Sequence, residues 1–349
     1  MSNFFDKKIC KDKTIVLEGT SMSSEVKKSW YGILYNIVKN ILNLNTDKEY
    51  PLPKIVVIGD ESTGKSSLLE NITKCPIFPR HLSAPCTKCA IQFNLKYSDV
   101  IRHQVEFDGK TYNIPDKSKI APCIEKLMNE LKADDICLDK EIIITIEDPD
   151  VTNLTFYDLP GVRAYPEPIA SKSITLAKKY IQDPNNIIIC VIPATCPRFT
   201  NSRSLALVTE MRKSSDTIIV LTMLDKINTN SKEFVFDRLS KKSDEFKGLN
   251  IDNCIGIINR NNNNNTLIQT NDKELEWITN TLKQVPNDCT ILCQTNIGIF
   301  NLIKFINSKF NQIIKTKWKD DVIKKLIQKR ADITNDLSKI GEIYTKEQL

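Results

Sequence analysis

Eight consecutive residues, Gly59-Asp60-Glu61-Ser62-Thr63-Gly64-Lys65-Ser66, have the spacing G-x4-G-K-S of a phosphate-binding loop. They follow an apolar β-branched run at 55–58 and precede the helical stretch Ser67-Leu68-Leu69-Glu70. The glycines permit a curl that turns backbone N–H groups toward an anion, and the helix N-terminus adds its positive end. Lys65 is placed to reach the β- and γ-phosphates of a nucleoside triphosphate, and the Ser66 hydroxyl to bind Mg2+. The candidate nucleotide-binding residues of this loop are Gly59, Asp60, Glu61, Ser62, Thr63, Gly64, Lys65, Ser66 and Ser67. The plainer alternative is a glycine turn with an incidental Lys-Ser, which the order strand, loop, helix argues against.

Three further elements select the nucleotide. Asp158-Leu159-Pro160-Gly161 ends the apolar run 154–157, where an aspartate can hold Mg2+ through water and the Gly161 N–H can meet the γ-phosphate. Thr222-Met223-Leu224-Asp225 ends another such run, and the Asp225 carboxylate can accept both N–H groups of a guanine edge, a pair adenine does not offer. Asn259-Arg260 ends the next. Each lies at the C-terminal end of an expected strand, where open α/β sheets bind their ligands.

This set resembles the dynamin superfamily of large GTPases, which includes dynamins and Mx proteins. Leu52-Pro53-Lys54-Ile55-Val56-Val57-Ile58-Gly59 is similar to the family's lead-in strand, and Leu69-Glu70-Asn71 to its following helix. Phe78-Pro79-Arg80 with Pro85-Cys86-Thr87 is similar to the first switch, which makes Thr87 the switch threonine on Mg2+. Asn153-Leu154-Thr155-Phe156-Tyr157-Asp158-Leu159-Pro160-Gly161 follows the family's N-L-T-x-x-D-L-P-G. The resemblance covers about 51–310 and implies catalytic roles for Glu61, Ser62, Lys65, Thr87 and Gly161. It implies Mg2+ on Ser66, Thr87 and Asp158, and a monovalent cation held by the Ser62 side chain and loop carbonyls. It also implies a homodimer paired face to face across the nucleotide, because Thr195-Cys196-Pro197-Arg198-Phe199-Thr200-Asn201-Ser202 resembles the family loop that crosses that interface. The family's link to membrane remodelling and self-assembly points to a cytoplasmic protein with a membrane or membrane-associated partner.

Four departures from the family pattern bear on rate. Glu61 stands where the family has glutamine, Met223 where it has lysine, and Arg163 where it has a threonine of the second switch. His81-Leu82-Ser83-Ala84 replaces a Gly-Ser-Gly loop with a stiffer one. Arg163, following the D-L-P-G turn, is a candidate to reach the γ-phosphate in place of the monovalent cation; an ordinary surface arginine is its plain alternative. These departures leave open a rival of another class, a guanine-nucleotide-binding interaction module that hydrolyses slowly or not at all. A P-loop kinase or ATPase is a further rival that Asp225 argues against.

The elements that must position these residues follow from the chain's patterning. It has 349 residues, a net charge of +6 and 41% hydrophobic residues, ordinary for a folded chain of about two domains or of one large α/β domain with an appendage. Runs at 55–58, 142–146, 154–157, 187–192, 217–222 and 254–258 have the continuous Ile/Val character of strands buried on both faces. The expected fold is α/β, a P-loop GTPase fold: a mostly parallel central sheet with helices on both faces, plus a helical bundle formed by the N- and C-terminal helices. The expected divisions are 1–23 as a mobile segment, 24–50 as a bundle helix, 51–300 as the GTPase domain, and 301–349 as a bundle helix and the start of a truncated stalk. Asp148-Pro149-Asp150 suggests a turn joining an antiparallel edge pair. Asn261 to Asn265 is a low-complexity loop.

Other candidate chemistry is weaker. Cys86-Thr87-Lys88-Cys89 has the spacing of a zinc or redox pair, but nothing ties two more ligands to it. The eleven cysteines are scattered and fit free thiols in a reducing compartment. His81 and His103 are expected on the surface or in loops. The basic residues Lys324, Lys325, Lys329 and Arg330 lack interleaved aromatics and fit a solvated helix face rather than a nucleic-acid surface.

Overall fold

The computed structural model describes residues 53–73, 77–78, 87–132, 135–149, 151, 154–227, 232–259, 276–277, 280 and 295–340. The expected helix at 24–50, His81 to Cys86, Arg260 and the asparagine run lie outside these residues.

In chain order the strands are β1 (Ile55–Gly59), β2 (Ala90–Tyr97), β3 (Arg102–Phe107), β4 (Lys110–Ile114), β5 (Glu141–Asp148), β6 (Leu154–Asp158), β7 (Ile187–Pro193), β8 (Thr217–Thr222) and β9 (Asn253–Gly256). The helices are α1 (Lys65–Thr73), α2 (Ile120–Glu130), α3 (Ile169–Ile181), α4 (Arg203–Glu210), α5 (Lys232–Leu239), α6 (Ile299–Ile313) and α7 (Lys319–Ile340). All nine strands join one sheet in the order β4-β3-β5-β2-β6-β1-β7-β8-β9. From β6 through β1, β7 and β8 to β9 every pairing is parallel, so the C-terminal ends of these strands share one side of the sheet.

Burial follows the two-residue period of a strand. Ile55 and Val57 of β1 face a core shared with Leu68 and Leu69 of α1, Ile120 of α2 and Leu302 and Phe310 of α6. Val56 and Ile58 face a second core shared with Leu176 of α3, Leu205 of α4 and Val235 of α5. Helices therefore cover both faces, and β1, entirely buried, lies between β6 and β7. The fold is the α/β P-loop type that the buried runs imply, and each of the six runs is a strand.

The antiparallel half differs from expectation. β5 and β6 are not an edge pair: β2 lies between them, parallel to β5 and antiparallel to β6. The alternation Ala90-Ile91-Gln92-Phe93-Asn94-Leu95 supplies the missing strand, with Phe93 and Leu95 in the core. Its polar face is satisfied across the pairing, where Tyr157 Oη donates to Gln92 Oε1 (2.7 Å) and Thr155 Oγ1 to Asn94 Oδ1 (3.2 Å). The true edge is the hairpin β3–β4, turned by Asp108-Gly109 at φ 51° and 74°. Consecutive left-handed residues match the strand twist in such a turn. His103 sits on β3 and is buried, not in a loop or on the surface.

The expected C-terminal helical pattern becomes α6, a π turn at Ile314–Trp318, and α7. Leu302, Ile306 and Phe310 of α6 pack into the core of the sheet. Lys309 Nζ donates to Ser215 O (2.7 Å) and Asp252 Oδ2 (3.1 Å), and Lys317 pairs with Asp216 (2.8 Å), tying this helix to the β8 and β9 edge. Farther along α7, Ile323, Ile327, Ile333 and Leu337 are exposed. No helix among the described residues is long and apolar enough to cross a membrane.

Candidate functional site

β1 ends at Gly59, and the chain then curls from Asp60 to Gly64 before α1 begins at Lys65. A Cβ at Gly59 would lie 2.6 Å from Thr63 Oγ1 and 2.8 Å from Val191 O, so only glycine lets the curl close against β7. Ser62 (φ 61°) and Gly64 (φ 88°) adopt left-handed backbone within the loop. Thr63 Oγ1 donates to Asp60 O at 2.9 Å across the curl. Two neighbouring strand ends hold the outer side: Thr222 Oγ1 at the end of β8 donates to Thr63 O (2.6 Å), and Asn259 Nδ2, beyond β9, donates to Gly64 O (3.3 Å). Asp225 follows Thr222 in a short 3-10 turn, Leu224–Lys226, entered through Met223 at φ 61°.

Lys65 is buried with its ammonium in the curl, donating to Gly59 O and Asp60 O, both at 3.0 Å. Desolvation lowers its pKa, against the pull of Asp158, Asp60 and Glu61. Asp158, at the end of β6, is completely buried. Its Oδ2 accepts from Thr87 Oγ1 (3.3 Å), while Oδ1 has no hydrogen-bond partner among the described residues. Burial pushes the Asp158 acid up to about 6, opposed by the Lys65 charge and by hydrogen bonds from Thr87 and Ser66. A buried carboxylate with an open oxygen, beside two hydroxyls, is a set of hard oxygen donors that fits Mg2+.

The raised pKa of Asp158 carries a stability consequence. Its folded value lies above the ordinary carboxylate value of about 3.9, so folding disfavours the charged form. The ligand-free protein therefore loses stability as pH rises from about 4 through about 6, by up to about 3 kcal/mol. Asp158→Asn removes that charge and is expected to raise the melting temperature in EDTA by several degrees at pH 7.5, and much less at pH 5. Thermal unfolding at the two pH values checks this; equal shifts at both would contradict it.

The segment after β6 is pressed onto the loop. Val162 N donates to Gly59 O (3.1 Å), and Asp60 and Val162 form a parallel bridge. A Cβ on Gly161 would lie 2.8 Å from Glu61 Cα, 3.0 Å from Glu61 N and 3.2 Å from Lys65 Nζ. Glycine at 161 is thus a steric requirement. Arg163 Nη2 donates to Glu61 Oε1 at 2.6 Å, so the guanidinium is engaged by a carboxylate of the loop itself.

The sequence model of the Dynamin family matches residues 55–224, a span that begins with β1 and ends just past β8. Residues 55–224 are a dynamin-family domain. Among its relatives, the interferon-induced GTP-binding protein Mx2 of Ictalurus punctatus is 30% identical over 210 residues, 57% of this chain and 33% of that protein. Mx2 of Sus scrofa is 27% identical over 230 residues (63% and 32%), and Mx2 of Oncorhynchus mykiss 28% over 232 (63% and 36%). The chain spans about a third of the length of the curated relatives it matches.

The structure brings together Gly59 to Ser67, Thr87, Asp158, Gly161 and Thr222 of this dynamin-family domain with Asn259, which lies beyond the matched span, while Arg260 lies outside the described residues. Cys89 is buried in the core, its thiol pushed up to about 12 chiefly by burial. The Asp60 carboxylate is used in positioning: it accepts from Arg203 N (3.1 Å), Ser204 N (2.9 Å) and Ser204 Oγ (2.6 Å) at the start of α4.

Loop 195–202 is thereby moored at one end to the phosphate loop, through Asp60 and the start of α4. At the other it is held by Arg238 of α5, which is wholly buried. Arg238 Nη1 donates to Cys196 O (2.7 Å), and its guanidinium lies 4.4 Å from the Phe199 ring centroid and 4.0 Å from that of Phe234. Arg238 also pairs twice with Glu245, at 2.7 and 3.0 Å, and Glu245 accepts the Phe199 N–H at 2.6 Å. Burial raises the Glu245 acid, but these hydrogen bonds outweigh it and hold it below its ordinary value. Nothing in the local sequence marks Arg238, which occupies an apparently ordinary helical position between Asp237 and Leu239.

Proposed function

We propose that this protein binds GTP with Mg2+ and hydrolyses it to GDP and phosphate. The observation that carries the reading is the bonding of two strand ends to the phosphate loop itself, through Thr222 and Asn259, one of them leading into Asp225. A base and a triphosphate held at those ends belong to one ligand. Asp225 reads the guanine edge, and Asn259 and Arg260 are the further residues assigned to the base.

In the reaction water adds to the γ-phosphorus as its bond to the β–γ bridging oxygen breaks, and the water's proton leaves with the released phosphate. The largely dissociative transition state spreads charge over the phosphoryl oxygens, so positioned donors carry most of the catalysis. Lys65 gives up its contacts with Gly59 O and Asp60 O and turns its ammonium to the β- and γ-phosphates. The Gly161 N–H donates to the γ-phosphate, and the backbone N–H groups from Asp60 to Ser67 line the phosphate chain. Ser66, Thr87 and Asp158 would hold Mg2+, which supplies positive charge to the phosphate oxygens when bound. Ser62 and loop carbonyls would hold a monovalent cation beside them. Glu61 accepts from the attacking water.

By family resemblance we extend the reading to a homodimer paired through loop 195–202, a cytoplasmic location and a membrane-associated partner. The engagement of Glu61 by Arg163 favours a second reading, a nucleotide-binding module with slow turnover. Phosphate release compared with nucleotide affinity separates the two.

Asp225→Asn tests the base assignment. Losing one of two acceptors on a charged group is expected to cost about 1–3 kcal/mol of guanine preference. Competition between GTP and ATP for the site measures this, and an unchanged ratio would overturn the assignment.

A further inference from the structure

Two of the departures from the family pattern meet in the fold. Glu61 and Arg163 are 102 residues apart in sequence, and their side chains form an ion pair of 2.6 Å. The arginine side chain is only 14% exposed, while the glutamate side chain is 51% exposed. Both backbones are pinned: Arg163 N donates to Ser173 Oγ (3.2 Å), Val162 N donates to Gly59 O (3.1 Å), and Gly161 lies directly against the Glu61 backbone. The meeting is set by the fold rather than by a chance rotamer.

A half-exposed ion pair of this kind contributes little to stability, about 0.2–1 kcal/mol. Its chemical consequence is larger at the phosphate site. Glu61 lies in the loop between Gly59 and Lys65, and its charge acts on the Lys65 ammonium. A bare carboxylate there would repel the terminal phosphate, which carries the most negative charge of the triphosphate. Resting on the reading of this site as a guanine-nucleotide site, we propose that Arg163 cancels the charge of Glu61 toward the terminal phosphate, making the pair one neutral unit that determines triphosphate over diphosphate affinity. Arg163 is thus a specificity-determining residue whose need arises from glutamate at 61, and the two departures compensate each other.

The test is a double-variant cycle read by equilibrium binding of GDP and of a β,γ-imido GTP analogue, both with Mg2+. Arg163→Ala is expected to weaken the triphosphate analogue about tenfold, the scale of one uncompensated unit charge close to the terminal phosphate in a partly solvated site. GDP affinity should change by less than about threefold over the same distance-dependent interaction. Glu61→Gln in the Arg163→Ala background should restore the analogue to near the parent value, and Glu61→Gln alone should bind it at least as tightly as the parent. Thermal unfolding of each variant identifies any loss of fold, and the double variant, which holds no bare charge, keeps the comparison available. Equal weakening of both nucleotides without rescue, or additive effects, would overturn the proposal. A parent protein that binds neither nucleotide would overturn the site reading itself, whereas a parent that binds both with an additive cycle overturns only the pair.

Discussion

Lys65→Ala is expected to lower GTP hydrolysis by about 100- to 1,000-fold, the loss seen when one donor aimed at developing charge is removed. In the ligand-free protein the Lys65 ammonium rests on Gly59 O and Asp60 O and faces Asp158. Removing it has two opposed effects on stability. A desolvated cation disappears, which is favourable, and Asp158 loses its compensating charge, which is not. The Asp158 acid then rises further and takes up its proton nearer neutrality instead of unfolding the site. The melting temperature of Lys65→Ala should therefore stay within a few degrees of the parent while phosphate release collapses. Unchanged phosphate release in a folded variant would contradict the catalytic assignment of Lys65.

The largest stability effect is expected at Arg238. Its guanidinium is wholly buried, donates to Glu245 and to Cys196 O, and packs between the Phe199 and Phe234 rings. Arg238→Ala leaves the Glu245 carboxylate and the Cys196 carbonyl without this donor and opens a void between two aromatic rings. Breaking a buried pair by removing one partner costs about 3–5 kcal/mol. Arg238→Lys keeps the charge but loses the planar fork and stacking, and should cost less, about 1–3 kcal/mol. Urea unfolding measures both. A cost below about 1 kcal/mol for Arg238→Ala would show the network to be dispensable. Because the same network moors loop 195–202, amide exchange there should rise in Arg238→Ala before it rises in β1.

Much of the fold was legible because its central strands carry continuous β-branched runs, which only burial on both faces explains. β2, β3 and β4 were not, since alternation with Gln92, Asn94, Glu106 and Asn113 dilutes the apolar signal to one residue in two. Asp108-Gly109 was the available clue, a dipeptide that turns hairpins. His103 escaped for the same reason, lying on an unread strand. The phosphate loop and its companions were readable as spacing, because backbone curls around phosphate demand glycine at fixed positions. The Gly161 contact with Glu61 shows that demand as a distance. Interactions between side chains far apart in sequence left no such trace. Glu61 and Arg163 were each visible as departures, but their pairing depends on β6 lying beside β1. Arg238 looks like a solvated helical arginine until α5 is docked on the sheet.

The most direct test of the central claim is steady-state phosphate release by this chain with Mg2+, with GTP and ATP assayed in parallel. The expected result is saturable release from GTP, with kcat/KM at least about tenfold above that for ATP, within the range that a lost bidentate acceptor pairing allows. Release from ATP as fast as from GTP, or no release from GTP by a folded protein, would contradict the account.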